Sequence, residues 1–300
     1  MSNLEYKPGI YYDVTDADYR ALDAVNQSQL KMFAKSARAA KYATEFPRDS
    51  SAFKLGRAAD TLLFKPAEFD ELFVEYAGSY LKDGKTWTEN RSGAGWAAFK
   101  KEHEGKRQIL TDDEAKEARC IARACHQHQV AAGLLVDGKA HTVVLWNDEL
   151  TGLLCKAQLD YWQPDAMRVN DVKTARDVEP RAWGAASFKF GYHVQAAFYI
   201  DGLSTALDLA PEDFTFTDIA IEKSMYPDVV CYEVSRSLIA YGRHQYQAWI
   251  QQYAKCKAEG HWPGIAETSF MTTETPAWVR DDVEAAALYA ETYNRAMAGE

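Results

Sequence analysis

The spacing of hydrophobic residues changes along this chain, and the changes mark out its elements. In 27-QSQLKMFAKSARAAKYATEF-46, Leu30, Phe33 and Ala37 recur at helical spacing and Ser28 stands where a cap is needed, so a helix is predicted. A second is predicted over 55-LGRAADTLLFKP-66, stopped by Pro66. Segment 78–95, GSYLKDGKTWTENRSGAG, is rich in turn formers and reads as a long loop. Helical patterns follow at about 96–104 and 112–132. The period then shortens. In 141-HTVVLWNDELTGLLCKAQLD-160, two β-rich runs flank a turn-forming NDELTG, which is a hairpin signal. A third strand is predicted at about 168–174, a helix at about 192–206, and strands near 215–223 and 229–235. From Ser237 onward the pattern is mostly helical, apart from a loop near 260–279. This order predicts an α/β fold: a central mixed sheet flanked by helices, with helical N- and C-terminal additions. No repeat or linker interrupts it, so a single domain over 1–300 is expected. Its core would span about 55–235, with helical regions at 1–54 and 236–300.

Composition sharpens this picture modestly. Of 300 residues, 47% are hydrophobic, enough for a substantial core. No apolar run approaches the ~20 residues needed to cross a bilayer, and the N-terminus lacks a charged-then-apolar signal pattern. No membrane association and a cytoplasmic location are therefore expected. The five cysteines are scattered, with no C-x-x-C, which argues against a disulfide framework or a structural zinc site. A net charge of −10 excludes a generally basic nucleic-acid-coating protein. It leaves room for an enzyme that confines positive charge to a channel. Residues 153–192 hold six Lys or Arg against five Asp or Glu, a locally less acidic stretch.

The candidate chemistry lies in 170-NDVKTARD-177. Residues two apart in a strand share a face, so Asp171 and Lys173 point the same way. Asp160 ends the preceding predicted strand. If those strands pair antiparallel, Asp160 comes close to Asp171, and two such carboxylates repel unless a cation sits between them. Oxygen ligands of this kind suit Mg²⁺ or Mn²⁺, and Lys173 would supply a point charge for a phosphate. By itself a D-x-K triplet reads as an exposed ion pair worth ~0–1 kcal/mol, and it is Asp160 and the strand context that favour the metal site. In the following helix, 192-YHVQAAFY-199, Tyr192, Gln195 and Tyr199 form one polar-aromatic stripe. Ala196 and Ala197 beside it permit close approach to the sheet. The stripe reads either as a helix rim or as a surface for a nucleic-acid backbone.

Together these segments resemble the nuclease domain of the RecE family (exodeoxyribonuclease VIII), in the RecB-like branch of the PD-(D/E)XK nucleases. The similarity runs from 9-GIYYDVTDADYRA-21 through 25-VNQSQL-30, 55-LGRAADTLLFKPAEF-69 and 151-TGLLCKAQLD-160. It is densest in 171-DVKTARD-177 and 191-GYHVQAAFYIDG-202, and ends near 262-WPGI-265. The resemblance implies that Asp160 and Asp171 bind metal, that the Val172 carbonyl adds a ligand, and that Lys173 is the catalytic lysine. Gln195 and Tyr199 match the branch's Q-x-x-x-Y signature. Two positions depart from the pattern. Asp60 stands where the first core helix usually carries a histidine, and His141 stands where a glutamate is usual. Either the acid and the imidazole have been exchanged across one metal site, or Asp60 is a helix-surface acid and His141 an edge-strand histidine. Tyr192, Lys156, Arg176 and Arg91 are the candidate DNA contacts, and Lys82, Lys85, Tyr80 and Trp87 join Arg91 in the predicted loop.

The activity implied by the resemblance is a Mg²⁺-dependent 5′-to-3′ exonuclease on linear double-stranded DNA ends, with Mn²⁺ as a substitute ion. A RecT-like single-strand annealing protein and a homo-oligomeric ring are the implied partners. A catalytically silent DNA-end-binding module and another RecB-like nuclease are the competing readings.

Overall fold

The computed structural model describes residues 6–43, 51–80, 87–88, 90–274 and 280–298. Two compact units emerge, residues 1–262 and 263–300. The first begins with strand β1 (Gly9–Tyr11) and helices α1 (Asp16–Ala21), α2 (Gln27–Leu30) and α3 (Ala37–Tyr42). It continues through α4 (Ser51–Phe64), α5 (Phe69–Leu72), β2 (Phe73–Tyr76), β3 (Ser79–Tyr80), β4 (Trp87–Thr88), α6 (Gly93–His103), β5 (Gln108–Thr111), α7 (Asp112–Gln127) and α8 (Gln129–Leu134). Then come β6 (Lys139–Asn147), β7 (Leu154–Gln163), β8 (Arg168–Ala175), α9 (Pro180–Phe190), α10 (Tyr192–Leu207), β9 (Thr215–Glu222), β10 (Val229–Glu233) and α11 (Arg236–Glu259). The second unit carries α12 (Arg280–Ala298).

The main sheet has the order β1-β6-β7-β8-β9-β10, so its edge strand comes from outside the 55–235 stretch. The pairs β1/β6, β6/β7, β7/β8 and β9/β10 are antiparallel, whereas β8 and β9 run parallel. The mixed sheet flanked by helices is thus present. Strand alternation splits the core in two. Val169 and Phe216 join Val194, Phe198 and Ile239 of α10 and α11 in one cluster. Ile219 and Ile221 join Leu55, Ala59, Ala118 and Ile121 of α4 and α7 in another, with Val172 packed against it. The sheet is therefore the middle of three layers.

Close approach sets where α10 lies. A Cβ on Gly242 of α11 would come within 2.2 Å of the His193 carbonyl oxygen, so only glycine fits at that crossing. At the other end, Gly191 is left-handed (φ 66°) and ends α9 while starting α10. The Lys31 stem lies over it, and the Lys31 ammonium donates to the Phe190 carbonyl at 2.9 Å.

Three local expectations need correction. The helix over 27–46 is broken into α2, a 3₁₀ turn (Lys31–Ala34) and α3, and residues 44–46 lie outside the described ones. Asn26, not Ser28, caps α2 by accepting the Gln29 N–H, and an extended Ser36 starts a new helix by accepting from Ala39. The break lets Leu30 and Phe33 enter different cores. The stretch 78–95 is not a plain loop: Ser79 and Tyr80 pair with Thr88 and Trp87, and α6 starts at Gly93. Lys82 and Lys85 lie outside the described residues. Helix α9 was not predicted, although Pro180 at its start and Gly191 at its end are ordinary helix signals.

Candidate active site

β7 and β8 pair antiparallel through Gln163↔Arg168, Trp162↔Val169 and Tyr161↔Asn170. The next positions in that register are Asp160 and Asp171. There the ladder gives way to a side-chain bond, in which the Val172 N–H donates to Asp160 Oδ2 at 2.8 Å. Asp160 is similarly placed toward β6, where pairs form at Ala140↔Tyr161 and Thr142↔Leu159. Between them stands His141, a non-glycine residue with φ 50°. Both acids thus sit where regular pairing opens, beside strand backbone that continues on either side.

Asp171 is fully buried. Its Oδ1 accepts from Gln195 Nε2 at 2.7 Å, and its Oδ2 is ion-paired with the Lys173 ammonium. The predicted pairing of Asp160 with Asp171 and the common face of Asp171 and Lys173 are both realised. Gln195, however, serves Asp171 and not a bound strand. Lys173 also lies over the Tyr192 ring, 5.1 Å from its centroid. Tyr192 is in turn packed on Trp183 and Phe190, with ring centroids 5.5 and 5.9 Å away.

On the other side, His141 Nε2 lies 3.0 Å from Asp60 Oδ2, so α4 and β6 bring together the two departures from the RecE pattern. Burial pulls the His141 pKa down, but the hydrogen bond and charge of Asp60, with Asp160 behind, outweigh it and raise it. Asp60 is therefore not an isolated surface acid.

Asp218 of β9 was missed. It faces Asp171 across the parallel ladder and is 1% exposed, with no hydrogen-bond partner for its Oδ1 among the described residues. No motif marks it, because the pairing joins positions 47 apart in sequence. The only signal was an aspartate inside the apolar strand TFTDIAIE.

The electrostatics follow from this crowding. Burial, then Asp160, push the Asp171 carboxyl up to about 7; burial, then Asp171, do the same to Asp218. Burial raises Asp160 as well, against the pull of Lys173. Lys173 itself is held above its usual range: burial opposes this, but Asp171, Asp160 and Asp218 prevail.

The other candidates are placed less as expected. Tyr199 is buried in the core against Phe216, and burial holds its hydroxyl far above its usual range. It lines a cavity of about 230 Å³ together with Tyr19, Gln27, Lys156 and Gln158. Lys156 requires correction as a DNA contact. It is 5% exposed, and its ammonium donates to the carbonyls of Tyr19 and Leu22 at 2.8 and 2.7 Å, capping the end of α1. Arg91 pairs with Glu114 at 3.4 Å and lies over the Trp96 ring. Arg176 is exposed just beyond β8.

Residues 26–275 match the family described as a PDDEXK-like domain of unknown function (DUF3799). The chain belongs to that family. Among solved structures, this DUF3799 chain is similar to a Eubacterium rectale protein described as a candidate exonuclease, with 13% identity and a TM-score of 0.60. That similarity covers 89% of this chain and 97% of the other. A phage-related exonuclease of Haemophilus somnus 129PT is also similar, at 13% identity and a TM-score of 0.32, over 66% of this chain and 96% of that one. No functionally curated protein matches the sequence. The DUF3799 chain thus carries a PDDEXK-like domain, and PD-(D/E)XK nucleases generally use divalent metal ions.

The donor chemistry fits such an ion. Buried carboxylates and one imidazole, with no thiolate cluster, suit a hard dication. The unpartnered Asp218 Oδ1 and the raised carboxyls show negative charge still seeking neutralisation. As they stand, no three His, Cys, Asp or Glu side chains among the described residues are gathered into a ligand set. The reason is visible: Gln195 and Lys173 hold Asp171, the Val172 N–H holds Asp160, and Asp60 and His141 hold each other.

Proposed function

We propose that the chain is a Mg²⁺-dependent exonuclease that digests the 5′-ended strand of linear duplex DNA and exposes 3′ single strands. The observation that carries this reading is Asp171 and Lys173 on one strand, with Asp160 beside them and Gln195 fixing Asp171. Asp160 and Asp171 would hold the ion, with the Val172 carbonyl, Asp60 and His141 completing its surroundings. When bound, the ion supplies a lowered water pKa and stabilises charge on the leaving oxygen. Gln195 keeps the Asp171 carboxylate oriented toward the centre. Lys173 brings a fixed positive charge to the scissile phosphate. The 5′-to-3′ polarity, the RecT-like annealing partner and the ring-shaped homo-oligomer rest on the resemblance to the RecE family. Recombination by strand annealing is the setting they suggest.

A second reading has one observation in its favour: among the described residues the ligand set is not assembled, as a silent DNA-end-binding module would allow. Incubation with blunt linear and closed circular duplexes, each with Mg²⁺ or Mn²⁺, separates the two. The exonuclease degrades the linear form, releases nucleotides from its 5′ ends and spares the circle. Retention of the linear form uncut, despite binding, would sink the enzymatic reading. Cutting of the circle would point to an endonuclease instead.

A further inference from the structure

β8 and β9 run parallel and in register, with Asp171 opposite Asp218 and Lys173 opposite Ala220. Facing residues of neighbouring strands share a side of the sheet, and the strands lie ~4.8 Å apart. The four positions therefore form a small square beneath Tyr192 and Trp183, which pack with Ala220. At the fourth corner Ala220 projects only a methyl group, so no long side chain stands beside Lys173 on that strand.

The two acids of this square are not equally occupied. Asp171 Oδ1 accepts from Gln195, and its Oδ2, which has no hydrogen bond among the described residues, is ion-paired with Lys173. Asp218 is as deeply buried, yet its Oδ1 has no hydrogen-bond partner among the described residues. A buried carboxylate oxygen left this way is costly unless some state of the molecule uses it. Such a state follows from the chemistry of the neighbouring acid. A dication that takes an Asp171 oxygen repels an ammonium on the same carboxylate, so Lys173 must let go. Without a second anion the lysine would turn toward solvent and away from the phosphate. Asp160 is a poor substitute, because it already accepts from the Val172 N–H and would itself hold the ion.

We propose that Asp218 is a positioning residue that receives the Lys173 ammonium when Asp171 is claimed by a divalent ion. Lysine is thereby shared between two acids: Asp171 in the metal-free protein, Asp218 in the loaded one. The proposal rests on the metal-dependent nuclease reading above, but its test does not depend on turnover. The wild type, D218N, D218E and D171N are treated with an amine-acylating reagent, with and without Mn²⁺, and Lys173 labelling is read by peptide mapping. Wild-type Lys173 is expected to stay protected when Mn²⁺ is added. In D218N, Mn²⁺ should raise its labelling by about fivefold or more, since the freed amine has nowhere to go. The conservative D218E variant should restore most of the protection. Titration calorimetry with Mn²⁺ should show D218N within about twofold of wild type and D171N strongly weakened. On linear duplex, D218N should lower kcat and leave KM nearly unchanged. Loss of protection in the wild type on adding Mn²⁺ would overturn the proposal without any variant. Mn²⁺ affinity falling as far in D218N as in D171N would overturn it too, by making Asp218 a ligand. A wild type that binds Mn²⁺ and protects Lys173, yet cuts no DNA, would remove the nuclease reading and leave the lysine transfer standing.

Discussion

Two aspartates tied to α10 show what separates a structural acid from a working one. Asp201 is closed: Arg243 grips both its oxygens at 2.6 and 2.8 Å, and the Tyr246 hydroxyl donates to one of them. This cluster ties α10 to α11 and leaves nothing over for a ligand. The centre around Asp171 is open. Its lysine is paired with Asp171 and feels the charge of Asp160 and Asp218, Asp218 has a spare oxygen, and burial with a neighbouring acid pushes two carboxyls up to about 7. Structural ion clusters are satisfied internally, whereas sites that act on something else remain short of partners.

The comparison breaks most visibly in activity. Asp160→Asn, Asp171→Asn and Lys173→Ala should each cut DNA hydrolysis by about a thousandfold or more, the first two by removing a carboxylate that would hold the ion and the third by removing positive charge from the reacting phosphate. Melting temperatures of the two asparagine variants should fall little. Arg243→Ala should do the reverse, with kcat near wild type and stability in urea lower by about 2–3 kcal/mol, the cost of stranding a carboxylate at the helix interface. If Lys173→Ala cuts normally, or Arg243→Ala abolishes cutting while remaining fully stable, the contrast is wrong.

A smaller effect concerns pH. The folded-state carboxyls of Asp171 and Asp218 lie near 7, above the ~4 of an unfolded chain. Below pH ~4 both states hold these protons and the contribution to stability is complete. Between about 4 and 7 the unfolded chain releases them first, so metal-free stability falls as pH rises, and above about 7 the loss is complete. Asp171→Asn should flatten that slope and hold or raise metal-free stability at pH 8. Addition of Mn²⁺ should stabilise the wild type at pH 8 and scarcely affect the Asp171→Asn protein. Thermal melts across pH, with and without Mn²⁺, measure both. A metal-free slope that survives the substitution would place the titration elsewhere.

Much of this centre was legible in the sequence because its information is local. Asp171 and Lys173 share a strand face two residues apart, Asp160 follows from one hairpin-like pairing, and Gln195 stands one turn from its signature tyrosine. Asp218 was not legible, since its place depends on the register of a parallel pair joined through two helices. Lys156 misled for a related reason: a lysine on a strand reads as surface charge until the chain that wraps it is known. The break at Ser36 was written in its capping chemistry, but the apolar spacing on either side masked it.

The left-handed backbone at His141 can serve as a gauge of what its side chain is for. A non-glycine residue held there is strained by ~1 kcal/mol or more, a cost glycine does not bear. His141→Gly and His141→Ala both remove the imidazole from Asp60, yet only the glycine substitution relaxes the chain. The His141→Gly protein should therefore be the more stable of the two by ~1 kcal/mol in denaturant melts. Both should lose the same catalytic rate. The strand would then be carrying a deliberate distortion whose sole return is the imidazole it delivers. Equal stabilities would mean that the distortion costs nothing here.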